Sequence, residues 1–314
     1  MKTTLIKFKS LLIRNIKLYF SDKLMFFVSL MGPLILLLLF ILFLRQNYYS
    51  SFVNSLPEGI SFANENVPHA FIAGWIVSAL RSVTPITVSL GAGVIMVQDK
   101  INGTIHDLKS SPVNTSTISL SYFLATFLSA ILIVFSVLGL GFIYIAISGW
   151  YLSFIDVILI CLNTILLTLF GCGLSTIINI FIKSEGGITA VSALFASVYG
   201  FICGAYLPIA QFGKTFANIF GFNPGLYSSI IFKNIFTRGP LVEMSSLPNE
   251  AINGIKDAFD LNFYFFNVFV EKYVTWIIIS FSVVILIILM VILSNRHRLF
   301  KNFRILLNKK HKKV

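Results

Sequence analysis

The sequence predicts an all-α membrane protein. Six transmembrane helices follow an N-terminal amphipathic interfacial helix, with a short cytoplasmic helix in one loop and short re-entrant or surface helices before the last span. Three observations carry this. Hydrophobic residues make up 57% of the 314 and charged ones 11%, against roughly 45–50% and about 25% in soluble domains. Uncharged apolar runs of the length that a bilayer core requires occur six times. The basic residues gather at the two ends. A water-soluble globule is thereby excluded, and so is a disordered chain, because 32 Phe at a mean hydropathy of +0.89 far exceed the low hydrophobicity of disorder.

Residues 1–23 come first. Leu5, Phe8, Leu12, Ile16, Tyr19 and Phe20 recur at steps of mostly three and four, with Lys7, Arg14 and Lys17 on the other side. This is the pattern of a helix lying in the headgroup plane; the alternative is an ordinary basic flank that happens to be helical. The spans then run from Leu24 to Leu44, Ala70 to Val97, Ile118 to Ile147, Val157 to Ile182, Ile188 to Ile209 and Tyr273 to Ser294. The first is too long for a signal-peptide core and no small-residue cleavage site follows it, so it is expected to remain as an anchor. Gly32-Pro33 inside it predicts a local bend.

Six spans leave both termini on one side, and the charges say which. Lys2, Lys7, Lys9, Arg14, Lys17 and Lys23 precede the first span, and Arg296, Arg298, Lys301, Arg304, Lys309, Lys310, Lys312 and Lys313 follow the last. Lys/Arg-rich flanks stay in the cytoplasm. The loops of the opposite side hold Glu58, Glu65, Asp156, Glu243, Glu250, Asp257, Asp260 and Glu271. The net charge of +12 is therefore largely a topology signal. The basic tail at 295–314 suits anionic membrane lipid; no nucleic-acid partner is expected, since no nucleic-acid-binding fold accompanies the charge.

The cytoplasmic loop at 98–117 contains Asn102-Gly103, a turn signal, then Thr104, which can cap a helix, and Ser111-Pro112, which stops it. A helix of about two turns results, with Ile105 and Leu108 on one edge. It is too short to be stable alone, and either docks against something or merely connects two spans. The external segment at 211–272 is apolar from Phe216 to Phe236 but broken at Asn223-Pro224-Gly225. It reads either as short helices dipping part-way in from outside under a cover of protein or as two surface helices. Pro240 to Asp260 reads as a water-exposed loop.

Much familiar chemistry is missing. No Asp, Glu, His or Lys falls inside the six spans, and one arginine, Arg81, does. It either lines a path for an anionic or polar group or snorkels to the outer interface. Alone it cannot relay protons, so ion-coupled transport loses support. Gly213-Lys214-Thr215 imitates the end of a P-loop, but Pro208 stands where the loop needs glycine. No metal site is expected: the four histidines lie in separate loops and tails, and Cys161, Cys172 and Cys203 sit in apolar runs as small packing residues. Asn163, Thr168 and Ser192 are mild polar groups within spans, suited to bonds across helices or to substrate contact. Gly200 and Gly204 form a GxxxG, which permits close helix packing or a dimer seam.

The stretch Asp99-Lys100-Ile101-Asn102-Gly103-Thr104-Ile105-His106-Asp107-Leu108-Lys109-Ser110-Ser111-Pro112-Val113 resembles the coupling-helix signature of the ABC transporter type-2 permease family. The pair His106-Asp107 departs from the acidic or apolar pair more usual there. The layout is similar from end to end, including an external Asn223-Pro224 with Tyr227 between the fifth and sixth spans. The resemblance implies one permease domain over 1–314, itself not an enzyme and without a cofactor of its own. It would dimerise with a second copy or a homologous permease and bind a separate ABC ATPase that holds ATP and magnesium. Amphiphilic cargo such as a drug, an antimicrobial peptide or a lipid-linked molecule would move outward across a bacterial plasma membrane. By the same resemblance Asn102, Gly103, Thr104, Ile105, Leu108 and Pro112 shape the ATPase interface, and Asn223, Pro224 and Tyr227 belong to an external gate. Arg81, Asn163, Thr168 and Ser192 are the candidate pathway residues. A membrane scaffold or sensor that binds a partner without transporting anything fits the same composition.

Overall fold

The computed structural model describes residues 2–54 and 66–295. Glu58, Glu65 and the basic residues after Asn295 lie outside the described residues. Helix α1 (Lys2–Ser21) precedes the bundle. The chain then enters α2 (Lys23–Leu39), passes one π-helical turn at Phe40–Leu44 and continues as α3 (Arg45–Asn54). Pro33 lies inside α2 without interrupting it, and the irregularity falls about two turns later. Next come α4 (Asn66–Ala92) and, after a turn at Gly93-Val94, α5 (Ile95–Ile101). The short α6 (Thr104–Ser110) leads into α7 (Thr115–Ser148), α8 (Phe154–Phe181) and α9 (Glu185–Ile202). The segment before the last span holds α10 (Gly213–Phe220), α11 (Pro224–Phe236), α12 (Arg238–Glu243), α13 (Asn249–Ala258) and a hairpin of β1 (Tyr264–Phe265) and β2 (Val268–Phe269). In the hairpin Tyr264 faces Phe269. Helix α14 (Lys272–Ser294) ends the described chain.

Six helical stretches among the described residues are long and apolar enough to cross a membrane: Phe26–Asn54, Asn66–Ile101, α7, α8, α9 and α14. Helix α4 is the axis of the bundle, packed by α2, α7, α8, α9 and α11. Trp75, Phe71, Ile76 and Ile86 on it are fully buried. Its Ser78, Arg81, Ser82, Thr84 and Ser89 side chains are tolerated because they are buried in protein, whereas α2 and α14 expose Leu, Ile and Phe such as Leu38 and Phe281. Helix α9 is also largely exposed, yet it has the lowest mean hydropathy of the six.

The start of α7 and the end of α14 share one end of the bundle, where Asn295 Nδ2 donates to Ser116 Oγ. Helices α1 and α6 lie there too, and this end is called the terminal face; α8 and α14 begin at the opposite, far face.

Two expectations are corrected. The fifth span ends at Ile202, not Ile209, because the chain turns back: Ala205 N and Tyr206 N both donate to Gly200 O, at 2.8 and 3.1 Å, and Gly204 takes φ +67°. Gly200 and Gly204 therefore do not share one helical face, and a Cβ on Gly200 would sit 2.2 Å from the Tyr206 ring. Pro240 to Asp260 is not an open loop either, since it folds into α12, α13 and a buried Asp260.

The broken segment divides in two. Asn223 Oδ1 accepts from Gly225 N at 3.2 Å and Pro224 occupies the first helical position, so α11 starts afresh after α10. Helix α10 buries no residue and lies on the surface. Helix α11 is enclosed by α4, α8 and α14, with Leu226 and Phe232 fully buried.

Candidate functional site

The terminal face carries a small rigid platform built around Asp99-Lys100. Asn102 N bonds back to Gln98 O at 2.9 Å, and Gly103 adopts φ +79°, a conformation costly for any residue with a Cβ. The chain reverses and α6 begins with His106 N on Gly103 O at 2.8 Å. Gly103, not Thr104, occupies the cap position; Thr104 is the first helical residue and makes no side-chain cap. A glycine has no side chain to cap with, so the backbone turn itself starts the helix. At the other end Ser111 N returns to Asp107 O at 3.1 Å, and Ser111 Oγ to Leu108 O at 2.6 Å, before Pro112.

One edge of α6 is docked. Ile105 is buried in a cluster with Tyr19, Met96, Ile118 and Tyr122, and Leu108 and Val113 pack at its margin. Asn102, His106, Asp107, Lys109, Ser110 and Pro112 are exposed, and Gly103 and Thr104 partly so. The structure thus has the two-turn helix, resting by this edge on its own bundle.

Polar clamps hold the platform together. Arg14 on α1 grips Asp99 with both ends of its guanidinium, Nη1 to Oδ2 at 2.7 Å and Nη2 to Oδ1 at 2.8 Å. Tyr122 OH donates to the same carboxylate. Arg14's own hydrogen bond to Asp99, together with the carboxylate's charge, holds its guanidinium above its ordinary range, against the opposing effect of burial. Lys7 Nζ donates to Pro112 O at 3.0 Å, so α1 touches the loop at two heights. On the other side Lys100 Nζ donates to Asn179 O, to Ile180 O at 2.8 Å and to Ile182 O at 2.9 Å. A cation thereby covers the carbonyls left open at the C-terminus of α8. Two consecutive residues thus bind α1 and α8 to the base of α6. The sequence gives Asp99 and Lys100 as part of a signature but no partner, because Arg14 lies 85 residues away and Asn179 lies 79 away.

Deeper in the bundle, a cleft of about 350 Å³ opens between α2, α4 and α9, lined by Ser192, Thr87, Pro33, Leu36 and Tyr206 among others. Its wall is mainly apolar and carries hydroxyls but no charge. Of the four candidate pathway residues, the cleft is lined by Ser192 and not by Arg81, Asn163 or Thr168. Arg81 is fully buried, with Nη1 on Val134 O at 2.8 Å and Nη2 on Thr164 Oγ1 at 3.1 Å. It does not snorkel. Asn163 and Ser228 exchange two bonds, 3.0 and 2.9 Å, joining α8 to α11. Thr168 Oγ1 bonds back to Thr164 O at 2.7 Å. In a medium without water such groups bond to protein first, and the two Nη atoms of Arg81, the Asn163 amide and the Thr168 hydroxyl do so here.

At the far face Tyr227 OH donates to Gly221 O at 2.7 Å and so ties α11 to the turn containing Asn223. Nearby lies a pair that the span-by-span reading missed. Lys233 Nζ contacts Asp260 Oδ2 at 2.9 Å and Gly204 O at 2.7 Å, both residues being buried. Asp260 also accepts from Ile209 N at 2.6 Å and Ala210 N at 3.0 Å. The ammonium stands 5.2 Å from the Trp75 ring centroid, which locks the end of α9, α11 and the chain after α13 onto α4. A lysine in an apolar run such as Ile230 to Phe236 was the available signal.

A search of curated proteins returned no significant match. The family model for ABC-2 family transporter protein matches residues 61–295, a range that holds five of the six membrane-length helices, the α6 platform and the far-face segment. The chain therefore belongs to the ABC-2 transporter family, as a membrane-spanning permease subunit of an ABC transporter.

Proposed function

We propose that this permease pairs with a second copy or a homologous permease, receives the drive from a separate cytoplasmic ABC ATPase through α6, and moves an amphiphilic substrate outward across a bacterial plasma membrane. The terminal face, with both termini, is then cytoplasmic. The observation that carries the reading is the double grip of Asp99-Lys100: a push on the exposed side of α6 is delivered at once to α1 through Arg14 and to α8 through its terminal carbonyls. A loop that merely connected two spans would not need both.

The remaining parts fit this use. Helix α9 is exposed but comparatively polar for a lipid-facing span, as expected if a partner permease covers it. The α2–α4–α9 cleft offers an apolar wall with hydroxyls, suited to an uncharged hydrocarbon part of a substrate. Asn102, Gly103, Thr104, Ile105, Leu108 and Pro112 then form or support the ATPase contact. Asn223, Pro224 and Tyr227 brace the external side that must give way for release. Closure of the ATPase pair shifts the permease only to the extent that it fits one permease state better than the other.

The test is a mild-detergent purification of the tagged chain from its own membrane, followed by mass spectrometry and an ATPase assay. Co-recovery of a Walker-motif ATPase, whose turnover responds to amphiphiles and loses that response in Gly103→Pro, is the expected result. Recovery of the chain alone under several detergents, or full response in Gly103→Pro, would refute it and favour a scaffold.

A further inference from the structure

At the far face, between the first turns of α8 and α14 and the end of α11, lies a pocket of about 190 Å³ apart from the cleft and the platform. Its polar lining is Arg238, Lys272, Asn234, Thr275 and Trp276, set over an aliphatic wall from α8 and α11. We propose that it seats the phosphate headgroup of an anionic phospholipid from the adjoining leaflet.

Charge is the first argument. Arg238 is partly neutralised, with Nη2 at 3.0 Å from Asp156 Oδ1 and 3.0 Å from Ser153 Oγ. Only that nitrogen of its guanidinium is engaged among the described residues. Lys272 forms no ion pair among the described residues, although Glu271 precedes it. Lys256 adds a third positive charge within electrostatic reach of Lys272. The lining itself holds two cations and no carboxylate, with Asp156 answering only one nitrogen of Arg238 from beside it, and a phosphate would supply the missing negative charge while accepting from the free donors.

Position is the second. Lys272 and Trp276 stand in the first turn or so of a membrane-length helix, the level at which basic side chains and indoles meet headgroups. Ile158 and Ile277, next in sequence to the lining residues Leu159 and Trp276, are 50% and 59% exposed. Acyl chains can therefore run down these faces while the headgroup turns inward. A soluble anion would satisfy the charges but leave that apolar flank unused.

The test compares phosphatidylglycerol with phosphatidylcholine retained on the purified chain, read by native mass spectrometry after release from mixed-lipid nanodiscs. Phosphatidylglycerol should be retained preferentially. Lys272→Gln should lower its retention about fivefold, Lys272→Arg should preserve it, and Lys256→Gln, outside the lining, should change it less. Lys272 is exposed, so these variants should fold, and an unchanged elution profile checks that they do. Equal retention of the two lipids, or undiminished phosphatidylglycerol on Lys272→Gln, would overturn the proposal. Uptake of inorganic phosphate at Lys272 with no lipid retained would also overturn it, in favour of a soluble-anion seat.

Discussion

Replacing Asp99 with alanine should release α1 from the platform without unfolding the bundle. The carboxylate accepts two bonds from Arg14, 2.7 and 2.8 Å, and one from Tyr122. A buried pair broken on one side can cost about 3–5 kcal/mol. Here the Arg14 side chain is 32% exposed and can turn to water or headgroups, so its share is small. Tyr122 is 3% exposed and would keep an unpaired hydroxyl. The sum comes to about 2 kcal/mol, or roughly 30-fold in the equilibrium for docking α1. Hydrogen exchange read by mass spectrometry is the assay: peptides within Lys2–Ser21 should exchange roughly 30-fold faster, while those of α4 keep their protection. Asp99→Asn, which keeps an acceptor but not the charge, should fall between. Unchanged protection of α1 in Asp99→Ala would refute the clamp, as would strictly additive effects of Asp99→Ala and Arg14→Ala in a double-mutant cycle.

Other perturbations test the remaining contacts. Gly103→Ala meets no neighbour within 4 Å, so only its positive φ is penalised; the cost should be about 1–2 kcal/mol, seen as faster exchange in α6. Lys100→Gln should loosen the last turn of α8 by about 1 kcal/mol, read as exchange at residues 178–183 with α1 unaffected. Asp260→Asn strands the Lys233 ammonium and should destabilise by about 3–5 kcal/mol in thermal unfolding, whereas Lys233→Met with Asp260→Asn should recover much of that loss. In the cleft, Ser192→Phe should reduce amphiphile-stimulated turnover at normal expression. Asn163→Ala should instead lower thermal stability by about 1–3 kcal/mol, because it orphans Ser228.

The hydrophobic runs made the spans legible, and most boundaries fall within a few residues, because bilayer thickness imposes a length that soluble folds lack. The fifth span was overextended for a physical reason: residues 203–209 are apolar in composition, yet their burial is inside protein at a turn, and hydropathy does not distinguish that from lipid. Side-chain pairing was less legible still. Arg81 could be noticed but not located, and Lys233 with Asp260 is 27 residues apart across two helices and a loop. The outline of α6 was readable from Gly103 and Pro112, whereas its attachments depend on α1 and α8, which only the folded bundle brings near.

The burial of Arg81 also bears on how the chain is made. Its guanidinium is held by Val134 and Thr164, which follow it by 53 and 83 residues. During synthesis α4 therefore reaches the membrane before either partner exists. An arginine near the middle of a helix opposes insertion by about 2.5–3.5 kcal/mol, and the span containing α4 has a lower mean hydropathy than the first or the last to offset it. That cost is relieved only once α7 and α8 supply the two acceptors, so the final seating of α4 is coupled to the arrival of both helices.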